Sequence, residues 1–302
     1  MLKSGPIGFI GVGHMGIHMC KHLMEAGYSV SIYDLRKENA EELLKAGAGW
    51  CDSIAELAKK CKVVMSVLPT PVQFEIAAFG PDGVVENLGQ GGAFIDFTTN
   101  SPTLVRKAYE RGRELGVDVI DAPISGGVYG AASGRLTLMV GGEQSVCERF
   151  RPLLETMSDN VVYCGGSGLG NVAKITNNLI SLSVSILIGE ALVLGVKSGL
   201  DLENLVNIIA KSSGATWRMN ESFTKFLLKG NLKPGFAIDL ALKDLRLAKG
   251  LADETGLNLE MLNLAVSQYT EAQRRGWGNI HSEGVVKLLE ESSGIELRIP
   301  EK

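Results

Sequence analysis

The 302-residue sequence is poor in aromatic residues (6%), has four histidines and five cysteines, and carries no large surplus of either charge. Thirty Lys and Arg against 34 Asp and Glu leave a formal net charge of −4. The basic residues are dispersed, which excludes an electrostatic footprint for nucleic acid or anionic lipid. An acidic small molecule would therefore have to meet a local cationic group. The cysteines (Cys20, Cys51, Cys61, Cys147, Cys164) contain no Cys-x-x-Cys pair and are odd in number. They read as small buried hydrophobes of a reducing compartment, not as a disulfide framework. No charged leader with an apolar run and cleavage site precedes Pro6-Ile7-Gly8-Phe9-Ile10, so the expected location is the cytoplasm. Low-complexity segments and solenoid-period repeats are also missing.

What the sequence has in excess is glycine: 37 residues, roughly 12% against the ~7% of average usage. One long apolar run, Leu179 to Val196, holds Glu190 as its only charge. Its length reaches the threshold for a membrane span. With no second run like it, the expectation is a helix buried in the protein or at a subunit contact.

Up to about residue 166, short runs rich in Val, Ile and Phe alternate with amphipathic stretches. Strands are expected at Ile7–Ile10, Val30–Tyr33, Val63–Leu68, Ala93–Phe97, Val117–Asp121, Leu136–Val140 and Val161–Tyr163. Helices are expected between them, as at Ile17–Ala26, Glu38–Ala46 and Pro102–Leu115. That alternation predicts a largely parallel sheet covered on both faces. Beyond Tyr163 no comparable strand-like run occurs. One long helix is expected over Asn171–Gly199, then helical stretches at Leu202–Lys211, Thr216–Leu228, Ile238–Thr255, Glu260–Arg275 and Ser282–Glu291. The fold class is thus an α/β Rossmann-like N-terminal domain (1–166) joined by a long interdomain helix (167–199) to an all-α C-terminal domain (200–302).

Three motifs carry chemistry. Gly11-Val12-Gly13-His14-Met15-Gly16 follows the first strand and opens a helix. Its glycines suit a tight turn, a close approach of pyrophosphate to the backbone, and close helix–strand packing, with the helix N-terminus facing the phosphates. Asp34 ends the second strand, eighteen residues after Gly16, where a carboxylate accepts hydrogen bonds from ribose hydroxyls and repels a 2′-phosphate. NAD is the expected cofactor, and Arg36 keeps NADP open. The second motif, Asp121-Ala122-Pro123-Ile124-Ser125-Gly126-Gly127, continues to Gly134 and follows a strand. It reads either as an anion-holding nest of backbone N–H groups with the Ser125 hydroxyl, or as a glycine-rich turn. The third is Gly170-Asn171-Val172-Ala173-Lys174-Ile175-Thr176-Asn177-Asn178. Lys174 and Asn178 are four apart and share a helix face; they are either partnered polar groups of a site or a solvated first turn. His14, His18 and His22 also recur every four residues, but no carboxylate or thiolate completes a ligand set, and no metal is expected.

Together with Gly235-Phe236 and Lys243-Asp244-Leu245, these motifs resemble, in order and over nearly the whole chain, the β-hydroxyacid dehydrogenase family. Its members include 3-hydroxyisobutyrate, 2-(hydroxymethyl)glutarate and tartronate semialdehyde enzymes. The resemblance implies a helical C-terminal domain closing an active-site cleft, with Lys174 as the catalytic residue. It implies that Asn178 holds substrate while Ser125, Gly126 and Gly127 receive its carboxylate. It places Leu68, Pro69 and Thr99 along the cofactor and Lys243 on the cofactor side of the cleft; Gln73 stands where several members have Asn. A homodimer or homotetramer is implied as well. The reaction implied is hydride exchange between a short 3-hydroxy acid and the nicotinamide, with Lys174 moving the hydroxyl proton. A free lysine titrates near ~10.4, so base work at neutrality calls for burial or a cationic neighbour, for which Lys243 is the candidate. Trp217 and Phe236 are either pocket-closing or core aromatics. The competing readings are an imine reductase, which usually carries another residue at the position of Lys174, and a non-catalytic dinucleotide-binding scaffold.

Overall fold

Short runs of β-branched and aromatic residues become the nine strands of one sheet in the computed structural model, which describes residues 5–300. The chain divides into two units, Met1–Lys174 and Ile175–Lys302. The strands of the first unit are β1 (Ile7–Ile10), β2 (Val30–Tyr33), β3 (Gly49–Trp50), β4 (Val63–Ser66), β5 (Ala93–Asp96), β6 (Asp118–Asp121), β7 (Ile124–Ser125), β8 (Leu136–Gly141) and β9 (Ser158–Gly165). Their order is β3-β2-β1-β4-β5-β6-β8-β7, with β9 also pairing β8. The first six are parallel, and β8 runs antiparallel to β6 and β7. The order 3-2-1-4-5-6 is that of a dinucleotide-binding sheet. The two-residue strands β3 and β7 are too short to leave a periodic signal in the sequence.

Eight helices cover this sheet: α1 (Gly16–Glu25), α2 (Glu41–Lys45), α3 (Ile54–Lys60), α4 (Pro71–Phe79), α5 (Val84–Asn87), α6 (Pro102–Leu115), α7 (Gly127–Ser133) and α8 (Gln144–Leu154). The Glu38–Ala46 expectation resolves into a 3-10 turn, Lys37–Ala40, and the short α2. The physical reason for two-sided cover lies in the strand alternation. Ile7, Phe9, Val63, Met65, Ala93 and Ile95 enter one core, while Ile10, Val64 and Phe94 enter another. Successive strand side chains point to opposite faces, so a sheet apolar at every position buries both. Each such large side chain contributes about 1.5–3 kcal/mol on burial. Helix boundaries follow local chemistry: Pro102 opens α6 at its first turn, and Gly116 closes it with φ 70°.

The second unit is helical, with α9 (Leu169–Lys197) starting just before the boundary, then α10 (Leu202–Ala210), α11 (Ile238–Glu254), α12 (Glu260–Ala272) and α13 (Lys287–Ser293). The glycines of α9 do not interrupt it. Gly189 and Gly195 face Val286 and Leu205, where a Cβ would come within 2.8 and 2.4 Å of their side chains. Leu182, Ile186, Leu192 and Val193 enter the unit's core. Ile180, Leu187 and Leu194 lie seven residues apart and are exposed, so burial inside this chain covers only part of the helix. By length and composition alone α9 is long and apolar enough to cross a membrane.

Three expected helices of this unit depart from α geometry. Thr216–Leu228 is a π-helical turn, Arg218–Phe223, followed by a 3-10 turn, Leu227–Lys229. The π turn buries the polar Arg218 and Ser222 together with Met219 and Phe223. The Glu260–Arg275 stretch stays α-helical only to Ala272, then widens over Gln273–Trp277, where Gly276 has φ 82°. Ser282–Val286 is a 3-10 turn before α13.

Candidate functional site

At the carboxyl end of β1 the backbone leaves no room for side chains at two of the three motif glycines. A Cβ on Gly11, which has φ 86°, would lie 2.5 Å from the Val67 carbonyl oxygen. A Cβ on Gly16 would lie 2.0 Å from the Gly11 carbonyl. Gly13 has nothing within 4 Å, so the turn is packed beneath and open above. No side-chain hydrogen bond caps the N-terminus of α1, where the Ile17, His18 and Met19 N–H groups bond back to the Gly13 and Met15 carbonyls; the positive end of the helix suits a pyrophosphate. Val12 is buried, Met15 half-buried and His14 exposed.

Asp34 lies just past β2, and its carboxylate is already engaged. Oδ2 accepts from the Val12 N–H at 2.8 Å; Oδ1 accepts from the Arg36 N–H at 2.9 Å and Asn39 Nδ2 at 3.1 Å. A carboxylate offers about four acceptor directions, so these three donors leave about one open. Asn39 was not legible as a partner because its role is to orient another side chain.

The loops after β4 and β5 are tied together by a residue the sequence reading passed over. Buried Asp96 accepts through Oδ1 from Ser66 Oγ at 2.6 Å and Thr98 Oγ1 at 2.7 Å; Thr98 Oγ1 in turn accepts from the Leu68 N–H at 3.0 Å. Burial pushes the Asp96 carboxyl up to about 7 against those hydrogen bonds. Leu68 and Thr99 are half-buried and Pro69 exposed on these loops. The side chains of Gln73 and Thr70 are hydrogen-bonded to each other at the start of α4.

Ser125 ends β7, half-buried, and Gly126 and Gly127 follow with φ of 126° and 61°. Both glycines are exposed, and the positive φ at each is a conformation that glycine adopts without strain. Lys174 and Asn178 stand one turn apart on α9, with 9% and 7% of their surface exposed. They are therefore not a solvated first turn. Asn178 Nδ2 donates to Asp244 Oδ2 at 2.6 Å, and Lys243 Nζ lies 2.9 Å from Asp244 Oδ1. Lys243 thus stands against the carboxylate of its sequence neighbour. Asp244 falls on the buried stripe of α11 with Ala241, Leu245 and Ala248, and a carboxylate on an apolar helix face was the available signal.

Other expected residues stand elsewhere. His22 Nε2 lies 2.9 Å from the Ala131 carbonyl and Nδ1 3.4 Å from Glu25. Among the described residues no group of three or more His, Cys, Asp or Glu could hold a metal ion. Cys20, Cys51, Cys61 and Cys147 are buried free thiols, whereas Cys164 is only half-buried. Trp217 is 68% exposed and is not a core aromatic; Phe236 packs partly buried against the helical core.

The family model for the NAD-binding domain of 6-phosphogluconate dehydrogenase matches residues 6–166. A second, for the NAD-binding region of NADP-dependent 3-hydroxyisobutyrate dehydrogenase, matches residues 168–289. The chain is 35% identical to 2-(hydroxymethyl)glutarate dehydrogenase of Eubacterium barkeri, covering 98% of this chain and 99% of that one. It is also 35% identical to the NAD-dependent L-serine dehydrogenase of Pseudomonas aeruginosa, covering 95% and 99%. Among solved structures it resembles Mycobacterium tuberculosis 3-hydroxyisobutyrate dehydrogenase with L-serine, with a TM-score of 0.86, 30% identity and coverage of 94% and 99%.

Proposed function

The chain belongs to the β-hydroxyacid dehydrogenase family, and from that premise we propose that it interconverts a short 3-hydroxy carboxylic acid and its semialdehyde or keto form. It is an NAD(P)-dependent oxidoreductase. The observation that carries the finer reading is the pair of nearly buried polar side chains, Lys174 and Asn178, one turn apart on the largely apolar α9. A bound nicotinamide supplies the hydride acceptor or donor at its C4. Lys174 takes the substrate hydroxyl proton on oxidation and returns it on reduction. The Asn178 amide, held on one side by Asp244, orients the substrate with its second N–H. Ser125 and the N–H groups of Gly126 and Gly127 receive the carboxylate.

The Gly11–Gly16 turn and α1 hold the pyrophosphate, while Leu68, Pro69, Thr99 and Lys243 line the rest of the dinucleotide. The Asp34 carboxylate favours NAD; Arg36 leaves NADP a weaker alternative. Dinucleotide binding belongs to residues 1–166, the linking helix to 167–199, and substrate contacts and association to 200–302. The protein works in the cytoplasm as a homodimer or homotetramer, a reading supported by the exposed Ile180, Leu187 and Leu194 stripe.

Initial rates of NAD and NADP reduction test this across a panel of 3-hydroxyisobutyrate, 3-hydroxypropionate, 2-(hydroxymethyl)glutarate and L-serine. The expected result is turnover of at least one member, lost in Lys174→Ala and faster with NAD. Turnover that survives Lys174→Ala would remove the lysine from the mechanism.

A further inference from the structure

The helix that carries Lys174 is capped from fifty residues away. Local capping of α9 is limited to the Leu169 N–H, which bonds to the Gly166 carbonyl at 3.1 Å; the buried hydroxyl of Ser167 has no hydrogen-bond partner. Asp121, at the end of β6 and 1% exposed, takes that place. Its Oδ1 accepts from the Gly168 N–H at 2.8 Å, and its Oδ2 accepts from the Asn171 N–H at 2.8 Å and from Asn171 Nδ2 at 3.3 Å. The Asn171 side chain, fully buried, then accepts through Oδ1 from the Asn100 N–H at 2.7 Å. Two otherwise orphaned N–H groups of the first turn are thereby satisfied by an anion at the positive end of the helix.

The backbone around this grip has no slack. A Cβ on Gly170 would sit 2.2 Å from the Met139 carbonyl, and one on Gly141 would sit 2.5 Å from Asp121 Oδ1. The first turn of α9 is therefore pressed onto β8 and β6 and cannot slide or rotate without breaking these contacts. Lys174 follows Asn171 by three residues, about 4.5 Å along the axis, so its starting point is set by the same contacts. Burial pushes the Asp121 carboxyl up, opposed by the Gly168 and Asn171 N–H groups. An amide could not substitute: one of its two terminal atoms would point N–H toward N–H.

We propose that Asp121 is a positioning residue for Lys174, holding the first turn of α9 through Gly168 and Asn171 so that the lysine amine sits at the proton it transfers. This rests on the acid–base reading of Lys174. The test compares Asp121→Asn, Asn171→Ala, Lys174→Ala and the two corresponding double variants, using the best substrate of the panel above with NAD. Misplacing a reacting group by about 1 Å lowers turnover by up to ~100-fold, so Asp121→Asn is expected to reduce kcat by ~10- to 100-fold with KM little changed. Asn171→Ala keeps the main-chain grip and is expected to lose less. In the Lys174→Ala background, neither change should lower the residual rate or its rescue by added methylamine, because the lysine they act through is gone. Hydrogen exchange should speed at residues 168–172 in Asp121→Asn while the rest of α9 stays protected.

Additive losses in the double variants, or unchanged kcat in both single variants of a folded protein, would overturn the proposal. If Asp121→Asn does not fold, Asn171→Ala and its double variant decide the matter alone. Full activity in Lys174→Ala would instead overturn the acid–base reading and the proposal with it.

Discussion

Asn178 and Asp244, 66 residues apart in sequence, share a buried hydrogen bond of 2.6 Å from the side-chain amide to the carboxylate. The same carboxylate lies 2.9 Å from the Lys243 ammonium. Asp244 therefore touches two residues of the candidate site at once, by a hydrogen bond at Oδ2 and by opposite charge at Oδ1.

Asp244→Asn preserves an acceptor for Asn178 but removes the charge opposite Lys243, whereas Asp244→Leu removes both. The expected order of kcat is wild type, then Asn, then Leu, with the leucine variant down by ~10- to 100-fold if positioning of Asn178 governs the rate. Steady-state rates with the best substrate decide it. Equal losses in the two variants would assign the effect to the ion pair.

Gly16→Ala and Gly13→Ala should separate folding from binding. The first places a methyl 2.0 Å from the Gly11 carbonyl, so a large fall in melting temperature is expected. The second meets nothing within 4 Å, so the protein should melt normally yet bind dinucleotide weakly, because the methyl occupies the open side of the turn. Thermal melts and fluorescence titration with NADH measure the two effects.

Arg218 and Glu283 form a buried ion pair of 2.6 Å, with Ser222 and His281 also contacting the carboxylate. Arg218→Met leaves that carboxylate buried without its cation and should cost about 3–5 kcal/mol, much of it recovered by adding Glu283→Leu. Burial alone would raise the Glu283 carboxyl, but hydrogen bonding from His281, the Arg218 charge and Ser222 hold it down at about 2. A depressed folded-state value means stability present above the ordinary glutamate range and lost as pH falls from there toward about 2. Melting curves between pH 5 and 2 should show wild type losing this contribution and Glu283→Gln lacking it.

Asp96 shifts in the opposite direction. Its carboxyl is pushed up to about 7, so its contribution is full below the ordinary aspartate range and is lost as pH rises through about 7. Relative to Asp96→Asn, wild type should lose several degrees of melting temperature between pH 5 and pH 8. A constant difference across that range would show that the group does not titrate there.

Periodicity and spacing revealed what depends on near neighbours in the chain. The strands Ile7–Ile10 and Val30–Tyr33 and the helix Pro102–Leu115 were legible to the residue, because alternation, proline at the first turn and glycine at the last act locally. Locality made the Gly11–Gly16 turn readable in part: Gly16 packs against Gly11 and Phe9 of the same unit, whereas the Val67 carbonyl that crowds Gly11 comes from 56 residues away. The four-residue spacing of Lys174 and Asn178 was equally visible, but not whether that face was wet or buried.

Tertiary structure decided the partners. Asp121 with Asn171, Asn178 with Asp244, and Arg218 with Glu283 join positions 50 to 66 residues apart, and only the folded chain brings their atoms within hydrogen-bond distance. It also decided where helices stop being α-helical, as at Arg218–Phe223, where the π turn buries a charged residue. The sequence by itself determined which segments pair into a dinucleotide-binding sheet and which residues are of the type to do the chemistry. The restraint of those residues was decided in three dimensions, because a buried polar group is held by whichever distant donor or acceptor the fold delivers to it.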